Sequence, residues 1–341
     1  MPRESIAQHP APHRDESRLF VLSQSGAERH RLFRDLDRVL RPDDLIVLNE
    51  TAVIHARLNG RLAGGGRAEL LLLHPVGSIR YDGAARRWYA LARPGRRLRE
   101  GARVTFGEEG EAVVRAVHED GRREVEFFFR GAFDETIERI GLMPLPPYIH
   151  SDEEEDRERY QSIFARVPGS VAAPTASLHF SPELLLRLEE RGIERRTLVL
   201  DIGLGTFRPI ATERIDDHEM HEERYDIPVA TVAAIEAAKR SGRRIVAVGT
   251  TVLRALEGCA LERGGVVAGE GSTKCFISPG FEFQVVDALV TNFHLPRSSL
   301  LVLVSAFSGR ERMLDAYREA VERSYRFFSF GDAMFLERDA K

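Results

Sequence analysis

Apolar and polar positions recur at two different spacings along this chain. Between residues 68 and 129, the short runs "AELLLLHP", "RWYALA", "ARVTFG", "EAVVRAVH" and "REVEFFF" follow one another with glycine-containing and charged breaks between them. This spacing predicts a compact antiparallel β unit, read as a small barrel rather than a flat sheet. On either side the pattern lengthens into strands alternating with helices: "DLIVLN" precedes the block, and "RTLVLDIG", "RIVAVGT" and "ALVTNF" follow it. The expected fold class is α/β, with a main α/β domain over residues 1–60 and 148–341 and an inserted small antiparallel β-barrel domain over 61–147.

Helix starts are marked in the second texture. "SPELLLRLEERG" places Ser181 as N-cap, Pro182 at the first helical position and Glu183 in the first turn, with Gly192 to end it. "VATVAAIEAAKRSG" and "ERMLDAYREAVERSYRF" carry the apolar spacing of half-buried helices. The acidic "SDEEEDRERY" at the return junction is expected to be a solvated loop.

Composition narrows the class. With 341 residues, 43% hydrophobic and 30% charged, the chain reads as a soluble globular protein of two domains. Its longest apolar run, "LLVLVSAF", is far short of the roughly 20 residues that cross a bilayer, and no basic and apolar leader opens it. The expectation is a cytoplasmic protein with no membrane partner. Cys259 and Cys275 have no paired spacing, which argues against a disulfide framework or a thiolate metal site. The net charge of -4 neither advertises nor excludes a nucleic-acid partner.

Candidate chemistry lies in the loops. "VAAPTASLHF" groups Pro174, Thr175 and His179 in a segment that suits neither helix nor strand, as though built to present side chains. "LVLDIGLGTF" ends a strand in Asp and Gly-x-Gly, a shape used to bring backbone against S-adenosylmethionine or a dinucleotide, although no helix start follows it directly. "VAVGTTVLRALEG" is the better anion or polar-ligand site. Strand, Gly249, Thr250, Thr251 and then helix bring amides and hydroxyls to a positive helix end, with Arg254 one turn on. "VTNFHLPRSSLL" sets Asn292 and His294 at the carboxyl end of a strand, where open α/β sheets bind ligands. In "DDHEMHEERYDIP", His218 and His221 lack a third well-spaced ligand, so no metal is expected; His221 beside a carboxylate suits proton transfer instead.

Taken together, "RDESRLFVL", "DLIVLNETAVIHARL", "MPLPPYIH", "RYQSIFARVPGSVAAPTASLHF", "DIGLGTFRPI", "HEMHEERYDIP", "VAVGTTVLRALE", "FISPGFEFQVVDALVTNFHLPRSSLLVLVSAFSG" and "YRFFSFGDAMFL" span nearly the whole sequence. In this order they resemble the S-adenosylmethionine:tRNA ribosyltransferase-isomerases of queuosine biosynthesis. The resemblance implies an α/β domain with an inserted β-barrel. It also implies transfer and isomerisation of the ribosyl moiety of S-adenosylmethionine onto 7-aminomethyl-7-deazaguanine at the tRNA wobble position, giving epoxyqueuosine, adenine and methionine.

Such a reaction needs a base at the acidified carbon beside the sulfonium and a proton for the departing adenine. His179 and His221 are the proton-transfer candidates, with Glu222 or Glu223 orienting or sharing the work. Thr175, Thr250, Thr251, Arg254, Asn292, His294 and Arg208 are the candidate substrate-binding residues. S-adenosylmethionine serves as ribosyl donor, tRNA is the macromolecular partner, and a monomer is expected. For the RNA, "RRWYALARPGRRLREGAR" carries seven arginines against one acid, with Trp88 and Tyr89 interleaved. Arg93, Arg96 and Arg97 are the candidate phosphate contacts, and the aromatics candidate base-stacking residues.

The sequence departs from the family's pattern at Ala52, His55, Ser177, Asp201 and Val252, and Asp201 in place of a histidine puts an acid role at that position in doubt. Two other readings stay open: a methyltransferase, resting on "LDIGLG" alone, and a non-catalytic RNA-binding protein, resting on the arginine strip.

Overall fold

The computed structural model describes residues 2–24, 29–77, 85–146, 148–151, 153–202, 210, 212, 214–218, 220 and 222–338. The chain opens with β1 (Arg18–Leu22), β2 (His30–Leu32), α1 (Leu36–Val39), β3 (Leu45–Asn49) and β4 (Thr51–Val53). It then forms β5 (Arg57–Leu62), β6 (Arg67–Pro75), β7 (Arg87–Arg93), β8 (Arg103–Thr105), β9 (Gly110–Val117), β10 (Arg123–Phe129), α2 (Phe133–Ile140) and β11 (Gly141–Leu142). The return runs through α3 (Glu154–Arg159), β12 (Val167–Ser170), α4 (Pro182–Glu190), β13 (Glu194–Leu200), β14 (Glu223–Ile227), α5 (Val229–Arg240) and β15 (Ile245–Val248). It ends with α6 (Thr250–Arg263), β16 (Gly269–Thr273), β17 (Ala288–Asn292), α7 (Ser299–Ser308), α8 (Arg310–Glu322) and β18 (Ala333–Glu337).

The five closely spaced apolar runs are β6 to β10, and they close. Among the described residues the sheet order is β11-β5-β6-β7-β10-β9-β8, and β8 pairs back onto β5 through Arg61 opposite Thr105 and Leu62 opposite Val104. Closure brings the two backbones close together at Gly60, where a Cβ would lie 2.9 Å from the Thr105 carbonyl oxygen. Alternation along each strand sends Leu70, Leu72, Trp88, Ala90, Val125 and Phe127 inward to one core.

The second sheet runs β16-β14-β13-β3-β15-β17-β18-β1-β2 among the described residues. Its centre, β13-β3-β15-β17, is parallel, and the outer strands add antiparallel pairs except for β1 on β18, which is parallel. Leu45 and Val47 face one apolar layer with α5 and α6, while Ile46 and Leu48 face another with α1 and α4. Burial on both faces explains why these strands read as unbroken apolar runs. Asn49, at the end of β3, donates to the Leu200 carbonyl at 3.0 Å and accepts from the Thr51 and Leu200 amides at 3.1 Å, fixing the turn that leads toward the barrel.

Two expectations need correction or refinement. "SDEEEDRERY" contains a helix, α3, whose first turn carries Glu154, Glu155 and Asp156; acids there complement the positive helix end. "VAAPTASLHF" is organised as one 3₁₀ helix over Thr175–His179, in which only Thr175 is not fully buried. The α4 start is as expected, with Ser181 Oγ accepting from the Leu184 amide at 3.1 Å. No helix among the described residues is long and apolar enough to cross a membrane.

Candidate functional site

The carboxyl ends of the parallel strands β13, β3, β15 and β17 share one edge of the sheet, and a cavity opens there. Pro174 and Thr175, Gly249 to Thr251, Thr291, Asn292 and His294, and Phe328 with Ser329 line it, so four segments far apart in sequence meet. Parallel strands oriented alike deliver their terminal residues to one edge, the usual ligand position of such sheets.

His179 sits behind this wall with both ring nitrogens engaged. Asn292 Nδ2 approaches Nε2 at 3.0 Å and Ser17 Oγ lies 2.7 Å from Nδ1. The same Asn292 nitrogen donates to the Phe328 carbonyl at 3.0 Å, which orients the amide and makes His179 Nε2 an acceptor. The imidazole is therefore neutral with its proton on Nδ1. Burial, reinforced by the charges of Arg326, Arg14 and Arg159, pushes its pKa down to about 3. That environment suits positioning, and it counts against His179 as a proton donor near neutrality. His294, with Thr291 Oγ1 3.0 Å from its Nε2, is likewise pushed down to about 3 by burial.

Thr250 and Thr251 begin α6 as expected, but neither caps it. Gly249 takes the N-cap at φ +95° without a side-chain bond to the first turn. Thr251 Oγ1 and Asn292 Oδ1 are buried and make no hydrogen bond among the described residues. Arg254 does not line the cavity; its guanidinium pairs with Glu223, both side chains being buried, and Nε donates to the Cys275 carbonyl at 3.2 Å. Arg254 and Glu223 thus form an internal ion pair rather than separate binding and proton-transfer groups. Glu222 is exposed and accepts from Ser272 Oγ at 2.6 Å, beside the edge of β14. His221 and Arg208 lie outside the described residues.

The structure also brings in Ser17 and Glu257, which the sequence did not mark. Ser17 Oγ pairs with His179 Nδ1, and as a hydroxyl that both donates and accepts it follows the tautomer that Asn292 sets. Asp201, one residue past β13, has its carboxyl raised to about 7 by burial, partly opposed by Arg224. Glu257, fully buried on α6, accepts from the amides of Gln284 at 2.8 Å, Val285 at 3.0 Å and Val286 at 2.8 Å. Among the other departures, Val252 points from α6 into the core, Ser177 is buried within the 3₁₀ turn, and Ala52 pairs with Pro168 where β4 meets β12. His55 Nδ1 is 3.1 Å from the Glu138 carbonyl oxygen at the foot of the barrel.

On the barrel, Arg93, Arg96 and Arg97 are exposed around the β7–β8 loop. Trp88 is not a base-stacking residue. It is fully buried in the barrel core, stacked on Phe133 with ring centroids 5.6 Å apart, and its Nε1 donates to the Ala85 carbonyl at 2.9 Å. Tyr89 is on the outer face, between His74 and His118, with Arg122 5.2 Å over its ring. His9, Glu153 and Asp156 bring three metal-capable atoms within 4.8 Å, but His9 Nδ1 and Asp156 Oδ2 are already hydrogen-bond partners at 2.7 Å.

The motif blocks thus converge in space, and comparison with known proteins gives them a family. The family model described as "Queuosine biosynthesis protein" matches residues 1–336. The chain belongs to the queuosine biosynthesis protein family. It is 51% identical to the S-adenosylmethionine:tRNA ribosyltransferase-isomerase of Heliobacterium modesticaldum, covering 98% of this chain and 97% of that one. Identity to the enzyme of the same name from Pelotomaculum thermopropionicum is 52%, over 98% and 97% of the two chains. The crystal structure of S-adenosylmethionine tRNA ribosyltransferase from Thermotoga maritima is 38% identical, with a TM-score of 0.54 over 98% of this chain and 97% of that one. The family resemblance and the α/β fold with an inserted barrel are borne out, and this member of the family is an enzyme, a transferase.

Proposed function

We propose that the chain transfers and isomerises the ribosyl moiety of S-adenosylmethionine onto 7-aminomethyl-7-deazaguanine in tRNA, giving epoxyqueuosine-tRNA, adenine and methionine. The observation that carries this reading is the meeting of "PTASLHF", "VGTTVL", "VTNFH" and "FFSF" around one cavity at the carboxyl ends of the parallel strands. Thr175, Thr250, Thr251, Asn292 and His294 would bind the donor there, with Arg208 a further substrate contact. His179 would act through Asn292, leaving proton transfer to His221 and, at its raised pKa, Asp201.

The two sheets divide the work in this reading. The main unit, taken as residues 1–60 and 148–341, holds the donor, and the barrel, taken as 61–147, grips the tRNA through Arg93, Arg96 and Arg97. The protein would act as a cytoplasmic monomer with no resident metal. Incubation with S-adenosylmethionine and a tRNA carrying 7-aminomethyl-7-deazaguanine, followed by mass spectrometry, should yield adenine, methionine and the matching mass gain on the tRNA. S-adenosylhomocysteine in their place would make the enzyme a methyltransferase, and tRNA binding without product would make it an RNA-binding protein.

A further inference from the structure

We propose that the cavity at the start of α6 takes the α-amino acid end of S-adenosylmethionine as a zwitterion. The ammonium lies against Asn292 Oδ1, and the carboxylate against Thr251 Oγ1 and the first amides of the helix. This assignment rests on S-adenosylmethionine being the donor and states which end of it lies here.

Asn292 is a preset acceptor. Its two amide hydrogens are taken by His179 Nε2 and the Phe328 carbonyl, each at 3.0 Å, and turning the group over would set its oxygen against the Phe328 carbonyl oxygen. Oδ1 is left as the free atom of a side chain that is 3% exposed and lines the cavity. A buried carbonyl oxygen with no donor is costly, and an ammonium satisfies it with a charge-assisted bond. The Phe328 carbonyl holds the amide in this orientation, and His179, backed by Ser17, takes its second hydrogen.

The opposite wall has the opposite polarity. The first amides of a helix have no intrahelical acceptor, and α6 is 14 residues long with an N-cap glycine, which has no side chain to cap them. Thr251 Oγ1, in a residue 6% exposed, adds a hydroxyl without a partner. A carboxylate gains from these amides and this hydroxyl, whereas adenine, being neutral, gains little. Ile202 and Leu300 supply apolar wall for the methylene chain between.

The test is binding of fragments to the full-length protein, measured by calorimetry. L-methionine should bind and compete with S-adenosylmethionine. Methioninol, which lacks the carboxylate, and 4-(methylthio)butanoate, which lacks the ammonium, should each bind about tenfold or more weakly, the loss of one charge-assisted hydrogen bond. Thr251→Val should weaken methionine by about tenfold and leave 5′-methylthioadenosine unchanged. Asn292→Leu should act alike where it folds, and the ligand series on the unaltered protein stands without it. Thr251→Val weakening 5′-methylthioadenosine while sparing methionine would overturn the assignment and place the nucleoside end here. Methionine failing to compete while S-adenosylmethionine binds overturns the assignment alone; S-adenosylmethionine failing to bind overturns the donor reading with it.

Discussion

Asn292 Nδ2 and His179 Nε2 lie 3.0 Å apart although 113 positions separate them in the chain. The bond joins the end of β17 to a 3₁₀ turn and makes one imidazole a fixed, uncharged part of the wall. A histidine held in this way has a measurable consequence for stability.

His179 and His294 titrate at about 3 in the folded protein against an ordinary 6.5. Below 6.5 the unfolded chain takes up protons that the folded one refuses, so stability falls as pH drops from 6.5 toward 3. Asp201 opposes this, because its folded carboxyl keeps a proton up to about 7 and the unfolded one only to 3.8. Over the shared window these three groups leave two protons against one, or about 1.4 kcal/mol of stability lost per pH unit, and His74, its pKa also lowered by burial, adds to the loss. Urea unfolding between pH 6.5 and 4.5 should show at least this slope. Asp201→Asn should steepen it; an unchanged slope would mean that the carboxyl is not protonated in the folded state.

Glu257 accepts three backbone amides leading into β17. Glu257→Ala leaves the Val285 and Val286 amides buried and unpaired, which should cost about 3–5 kcal/mol. Glu257→Gln keeps one acceptor oxygen and should cost less. Thermal unfolding of the two variants gives the order, and equal losses would mean that the charge rather than the bonds is what matters.

Gly249 occupies φ +95°, and a Cβ there would stand 3.3 Å from Thr251 Oγ1. Gly249→Ala should cost about 1–3 kcal/mol through backbone strain and lower S-adenosylmethionine affinity by displacing that hydroxyl. Unchanged affinity in calorimetry would separate Thr251 from the donor site.

Arg93, Arg96 and Arg97 are exposed on the barrel, whereas Trp88 is in its core. Replacing the three arginines with glutamine should weaken tRNA binding and lower the slope of log affinity against log salt by about one unit for each phosphate left without its guanidinium. Binding of S-adenosylmethionine alone should not change. Trp88→Ala should instead destabilise the barrel by about 3–5 kcal/mol, read as an earlier unfolding transition.

Much of this architecture is legible in the sequence because local rules are sufficient for it. Period-two apolar runs mark β6 to β10, Ser181 and Pro182 mark the start of α4, and the ordered motif blocks mark the family. Polar function is only half legible. Thr250, Thr251, Asn292 and His294 stand out as ligand-wall residues from their places after strands, and they do line one cavity. Arg254, Glu223 and Trp88 read as accessible in the sequence, yet tertiary packing buries all three, because a guanidinium finds its carboxylate, and an indole its core, in elements distant along the chain.

The sequence by itself determined which segments are strands and helices and which residues carry chemistry, since periodicity, caps and motif order act over a few neighbouring positions. Only the tertiary structure decided the protonation of those residues. Whether His179 is a cation, Asp201 an acid or Asn292 Oδ1 a free acceptor depends on burial and on partners such as Ser17, Arg224 and Phe328. Those partners come from other strands of the sheet and other loops at its edge.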